Sequence, residues 1–215
     1  MIELGNWRNM NYLDDYLNKQ LAKDPEKYIH NPNLYAIWNI KAYVCLKVIQ
    51  LNPFDSQFFI YTDLGAWRQG IFNDWPDNNF INFLYPKLNH RMLFSQIYYV
   101  HDVNMFNVET DSIEGGFFAG SKSAIKLFAN NFYEEHDKRL KSNLFIGKDQ
   151  TIMNYIVYKL NNTNHVLLRA WQLHECNLNK TNILFDPWFF YQQYFSTINY
   201  YNCSFDNKLT ILTNI

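Results

Sequence analysis

The sequence predicts an α/β fold in which a mixed, mostly parallel sheet is layered between helices within one domain. Three observations lead there. Segments of β-branched and aromatic content alternate with segments of helical spacing, the order that builds a sheet covered by helices. The apolar run Phe58-Phe59-Ile60-Tyr61-Thr62 stops on Asp63 and is followed by Leu64-Gly65, which sets one acid at the carboxyl edge of a strand, where open α/β sheets keep their ligands. The 215 residues, 48% of them hydrophobic, suffice for one sizeable core, and no repeat, low-complexity linker or charge block marks a second domain.

Taken in order, Asn11 to Leu21 carries Tyr12, Leu13, Tyr16, Leu17 and Leu21 at helical spacing. Asp24-Pro25 and Asn31-Pro32-Asn33 are turn chemistry, after which Asn39 is placed to cap a second helix with the apolar face Ile40, Tyr43, Val44, Val48 and Leu51. Asn52-Pro53 ends it, because proline disfavours helix at the preceding residue. The strand that delivers Asp63 comes next. Asp74-Trp75-Pro76-Asp77 turns into a short helix over Asn78 to Tyr85, and Arg91 to Tyr99 reads as a strand. Glu109 to Glu114 is polar and loop-like, and Gly115 to Gly120 is a short apolar run fenced by glycines. Ser121 opens a long helix with Ile125, Phe128 and Phe132 on one face and Lys122, Lys126 and Asn130 on the other. Gly147-Lys148-Asp149-Gln150 starts another with Ile152, Ile156 and Leu160, and His165 to Trp171 is a core strand. From Asn177 onward the chain is aromatic and irregular.

Composition narrows the function. A formal charge of -1 provides no basic field of the kind that neutralises nucleic-acid phosphates, so nucleic acid is not expected as a partner. Aromatic residues make up 19% but are spread through every segment, as in an aromatic core and not a base-stacking stripe. Cys45, Cys176 and Cys203 are odd in number and widely spaced, without a C-x-x-C pair, and read as reduced packing cysteines of an intracellular protein. With no apolar run approaching the ~18 residues of a membrane span and no leader pattern at Met1-Ile2-Glu3, the expectation is a cytoplasmic protein.

Asp63 is the first metal or phosphate-side candidate, although Asp at a strand end is also common turn chemistry. The pair Gly115-Gly116 permits positive φ or close backbone approach by a ligand, and equally a plain tight turn.

These islands also form an ordered set. Asn31-Pro32-Asn33-Leu34-Tyr35-Ala36-Ile37-Trp38-Asn39-Ile40-Lys41, Leu51-Asn52-Pro53-Phe54, Phe59 to Arg68, Gly115-Gly116-Phe117-Phe118-Ala119-Gly120 and Asp149-Gln150-Thr151-Ile152-Met153-Asn154 resemble the HtrL/YibB family, whose members are taken for glycosyltransferases. More distantly the set is similar to nucleotide-sugar transferases of the GT-A type. The resemblance covers about residues 31 to 155 and rests on the order of the islands, since no single motif is highly specific.

It implies a single GT-A-like, Rossmann-like domain over residues 1–215. The sugar-nucleotide diphosphate would lie at the carboxyl edge, bridged by Mn²⁺ or Mg²⁺ to a D-x-D-like acid. Asp63 matches the first acid and Gly65 stands at the second, so fewer protein carboxylates than usual would hold the ion. His174, in Leu173-His174-Glu175, stands where a third ligand falls on a late loop; a structural histidine is the alternative. Asp149 and Gln150 match a D-Q pair bordering the reacting sugar, Arg68 is placed to meet phosphate or acceptor, and Gly65, Gly115 and Gly116 would line the donor and acceptor space. Arg91 and Lys148 are weaker, surface-type candidates. The partners implied are a nucleotide-diphosphate sugar and a glycan or other hydroxyl acceptor. The family's first strand precedes the residues matched by Glu3-Leu4-Gly5-Asn6-Trp7, and a further strand would fall between Leu21 and Asn31. The expectation is therefore a reduced nucleotide cleft, which keeps a non-catalytic carbohydrate-binding or interaction module open as the alternative. A metal-dependent hydrolase would need a denser cluster of acids than the chain shows.

Overall fold

The computed structural model describes residues 16, 18–67, 75–160, 165–170, 186–196 and 209–212. Its elements run α1 (Pro32–Leu51), β1 (Phe58–Thr62), α2 (Asn78–Leu88), β2 (Met92–Gln96), β3 (Ile113–Ser121), α3 (Lys122–Lys141), α4 (Asp149–Tyr158), β4 (His165–Arg169), α5 (Phe190–Tyr194) and β5 (Leu209–Leu212). Residues 16 and 18–21 of the predicted first helix are helical, and its earlier part lies outside the described residues.

The fold is a single mixed α/β domain. Its sheet has the order β1-β3-β2-β4-β5. Among the described strands only β2 and β4 run parallel, from Met92 opposite His165 to Gln96 opposite Arg169. The pairs β1·β3, β2·β3 and β4·β5 are antiparallel, so the expected mostly parallel sheet is corrected to a mostly antiparallel one. The cause is β3, which the sequence showed as a loop followed by a six-residue run. It starts at Ile113, includes Glu114, and lies between two strands that both run against it.

Alternation along the strands sends side chains to two cores. On one face Phe94, Phe118 and Leu167 meet Phe128 and Phe132 of α3 and Ile152 and Ile156 of α4. On the other, Leu93, Phe117 and Leu168 meet Leu84 and Leu88 of α2 and Tyr191 and Phe195. Within the sheet Tyr61 stacks on its cross-strand partner Phe118 at 4.9 Å, and between layers Phe117 stacks on Tyr191 at 4.4 Å. Ile113 belongs to the first core and Phe117 to the second, and the register of β2 on β3 shifts between Phe94 and Gln96. The strand therefore changes face across Gly115-Gly116. A bulge of this kind re-aims side chains at a sheet edge.

Several helix signals work as read. Ser121 caps α3 by accepting from the Ala124 amide, and Asp77 caps α2 by accepting from the Asn79 amide. For α1 the reading changes: the cap is Asn31, accepting from the Asn33 amide, with Pro32 at the first helical position. Asn39 sits inside the helix and donates to Tyr35 O at 2.8 Å and, across to the loop before α4, to Ile146 O at 3.0 Å. The helix is also rotated. It buries Tyr35, Asn39, Lys41, Ala42 and Ile49, while Ile40, Val44, Val48 and Leu51 of the predicted apolar face are exposed. No helix among the described residues is long and apolar enough to cross a membrane.

Phe118 is 1% exposed and touches Tyr61 and Phe128, so Phe118→Ala is expected to lower the free energy of unfolding by about 3–5 kcal/mol, read by denaturant titration.

Candidate functional site

Three elements meet at the end of β1. The Asp63 amide donates to Gly116 O at 2.8 Å, prolonging the β1·β3 ladder by one bond and fixing the acid beside the glycine pair. From α1, Lys41 reaches the same point and its Nζ stands 3.0 Å from Asp63 Oδ2, 2.8 Å from Asp149 Oδ2 and 2.9 Å from Gly115 O. Tyr61 Oη donates to the other Asp63 oxygen, Oδ1, at 2.7 Å. Asp149 opens α4, and its Oδ1 accepts from the Gln150 amide at 2.9 Å.

Burial divides the two acids: the Asp63 side chain is 36% exposed, whereas those of Asp149 and Lys41 are each 5% exposed. One ammonium thus faces two carboxyl groups, one sealed in the interior and one at the rim. Burial works to depress the Lys41 ammonium, but Asp149 and then Asp63 outweigh it and hold its pKa above the ordinary lysine value. Burial raises the Asp149 carboxyl, with Lys41 opposing.

Glu114 completes the group. Its Oε1 accepts from the Gly116 amide at 2.7 Å, while its Oε2 is buried without a hydrogen-bond partner. Burial pushes its pKa up to about 8, against the opposing pull of the Gly116 amide and Lys41. Around pH 7 it is mostly a neutral acid.

The glycine pair makes room for these acids. A Cβ on Gly116 would stand 2.6 Å from Glu114 Oε1 and 3.0 Å from Asp63 Oδ2, and one on Gly115 would stand 2.8 Å from Gln150 Cγ and 3.1 Å from Asp149 Oδ1. Neither glycine has the positive φ that the sequence allowed, so what approaches the backbone here is the chain's own side chains.

Asp63, Asp149, Gln150, Gly115 and Gly116 are therefore brought together, with one change of role. Asp149 and Gln150 were expected to border a sugar, yet both are buried; Asp149 faces Lys41 and Gln150 Nε2 donates to Ile113 O at 2.8 Å. Gly65 lies on the 3₁₀ turn Leu64–Ala66, with no atom within 4 Å of where a Cβ would stand. Arg68 and His174 lie outside the described residues. Lys148 is ion-paired with Asp111 at 2.7 Å and Glu26 at 3.4 Å, away from Asp63.

Sequence reasoning missed Lys41, Tyr61 and Glu114. Lys41 carried a signal, since a lone lysine between Ile40 and Ala42 on a helix needs a buried partner or a route to solvent.

A second group, Asp24, Glu26 and His30, has ligand atoms all within 4.8 Å of one another and could hold a metal ion. Its atoms are already engaged: Asp24 Oδ2 accepts from Tyr35 Oη at 2.6 Å and pairs with His30 Nδ1 at 2.7 Å, Asp24 Oδ1 accepts from the Glu26 amide, and Glu26 pairs with Lys148. A cavity of about 470 Å³ at the C-terminal ends of α3 and α4 is lined by Phe106, Lys138, Arg139, Tyr155 and Lys159 among others, and none of the edge residues lines it.

Fold and edge define a mixed α/β domain with a lysine-bridged acidic cluster at one end of its sheet. A model of the HtrL_YibB family, described as a bacterial protein of unknown function, matches residues 3–174, and the chain belongs to that family. No curated protein and no solved structure matches it.

Glu114 gives a pH signature. The folded state holds its proton up to about pH 8, whereas an unfolded glutamate loses it near 4.5. Between these values the folded state binds more protons, so stability falls as pH rises, by on the order of 1 kcal/mol per unit. Glu114→Gln is expected to flatten this decline in melts taken from pH 5 to 8.

Proposed function

We propose that the protein transfers a sugar from a nucleotide-diphosphate donor to a glycan or other hydroxyl acceptor at the edge formed by Asp63 and Gly116. The observation that carries this reading is the meeting of three separate sequence islands, those of Asp63, Gly115-Gly116 and Asp149, at one sheet edge around Lys41. The similarity to nucleotide-sugar transferases was drawn from these same islands.

In this reading Asp63 is the group that faces the donor, since it alone of the two lysine-bound acids is partly exposed. Lys41 and Tyr61 fix its carboxylate, and Asp149 acts through Lys41, not on the sugar. Gly65 on its open turn and Arg68 remain on the donor and acceptor side of the proposal, with Gln150 holding the β3 backbone in place.

The proposal also includes Mn²⁺ or Mg²⁺ on Asp63 and His174, which would neutralise the leaving diphosphate. The described residues fit such an ion incompletely: they offer the Asp63 carboxylate, with Oδ2 already on Lys41 and Oδ1 on Tyr61.

A non-catalytic sugar-binding module is the second reading, favoured by the sealing of Asp149 against Lys41. Incubation with UDP- and GDP-sugars, with and without Mn²⁺, is expected to release free nucleoside diphosphate, and Asp63→Asn to abolish that release while the melting curve stays cooperative. Undiminished release in the variant removes Asp63 from the reaction. No turnover and no calorimetric binding across the panel leaves the module.

A further inference from the structure

The outer face of α1 is apolar where a surface helix ordinarily carries polar side chains. Ile37, Ile40, Val44, Val48 and Leu51 are between 37% and 77% exposed, and at about 100° a residue they share an arc of about 80°. A stripe of this kind is what a helix normally buries. Charge does not relieve it: the charged residues of the helix are Lys41, whose ammonium is turned inward to the acids, and Lys47, which lies over the Tyr43 ring. Ile29 ahead of the helix and Phe54 behind it are exposed as well, at 75% and 88%. Contiguous apolar surface beyond a few hundred Å² marks an interaction site.

The stripe is symmetrical about its midpoint. Ile37 and Leu51 each stand seven residues from Val44, and Ile40 and Val48 each stand four. A contact between two identical copies demands this property, because residue i must meet j while j meets i.

We infer that a second copy of this chain covers the face, the two α1 helices packing antiparallel about a twofold axis at Val44. Val44 then meets its own counterpart, Ile40 meets Val48, and Ile37 meets Leu51. The pairing also answers the ends of the helix, which has no acid in its first turn and no base in its last. Antiparallel packing brings the positive end of each helix dipole towards the negative end of the other. Lys47 falls opposite position 41, where the ammonium is directed inward, so no like charges meet along the seam. A lipid surface fits less well, since helices that lie on membranes carry a lysine- and arginine-rich polar face that α1 lacks.

Two faces of this size would bury less than about 1,200 Å², the low end of specific interfaces, so the dimer is expected to be reversible. Sedimentation velocity from micromolar to near-millimolar concentration is expected to show the mass rising from one chain towards two. Val44→Asp sets two like charges against each other at the axis and is expected to weaken association by about 100-fold or more, while its melt stays cooperative because Val44 is 42% exposed. Under diamide, Val44→Cys is expected to form a disulfide-linked dimer, Ile37→Cys alone to stay at the level of the native protein, and Ile37→Cys with Leu51→Cys to cross-link again. Burial pushes the native Cys45 thiol up to about 12, which keeps it from competing. A monomer at every concentration, a dimer that Val44→Asp leaves intact, or cross-linking by Ile37→Cys alone as strong as by Val44→Cys overturns the pairing. Co-flotation with phosphatidylcholine or phosphatidylglycerol vesicles that Val44→Asp abolishes would assign the face to lipid and overturn it as well.

Discussion

One buried ammonium holds the end of this sheet together. Lys41 ties α1 to the tip of β1 through Asp63, to β3 through the Gly115 carbonyl and to the first turn of α4 through Asp149. Breaking a buried pair by deleting one partner costs about 3–5 kcal/mol, far more than a surface pair is worth, because the charge left behind has no water to turn to. The constraint explains the rotation of α1: with Lys41 directed at the acids and Asn39 at the loop carbonyls, Ile40, Val44, Val48 and Leu51 are carried to the outside.

The glycine pair answers to the same interaction. Four side chains, those of Asp63, Glu114, Asp149 and Gln150, crowd the backbone at Gly115-Gly116, where β3 changes face. Glycine is needed there because a methyl group at either position would overlap an acid or an amide. With no side chain at either glycine, Asp63 beyond β1 and Asp149 of α4 both come close to the β3 backbone.

Much of this was legible in the chain, for local reasons. Ser121, Asp77 and the apolar spacing of α3 and α4 are signals that a few neighbouring residues settle, and Asp63 at a strand end is of the same kind. The direction of the sheet was not legible, because the first half of β3 carries the polar Glu114 and two glycines, and its start read as loop. The face of α1 was misread because periodicity weighs apolar side chains, and this helix is oriented by a lysine and an asparagine whose partners lie far along the sequence. Of the candidate site, Asp63 and the glycine pair were found from local pattern and Asp149 and Gln150 from the order of the islands, while Tyr61 and Glu114 looked like strand and loop filler. Their roles depend on burial and on tertiary neighbours, which no local pattern encodes.

The chain order of these partners has a temporal consequence during synthesis. Helix α1 and strand β1 emerge well ahead of α4, so Lys41 and Asp63 leave the ribosome as a solvated pair while Asp149 has yet to be made. Long-range closure is slow because the intervening chain must first be ordered. A nascent or truncated chain ending before α4 would therefore present an open lysine and aspartate on an unfinished sheet.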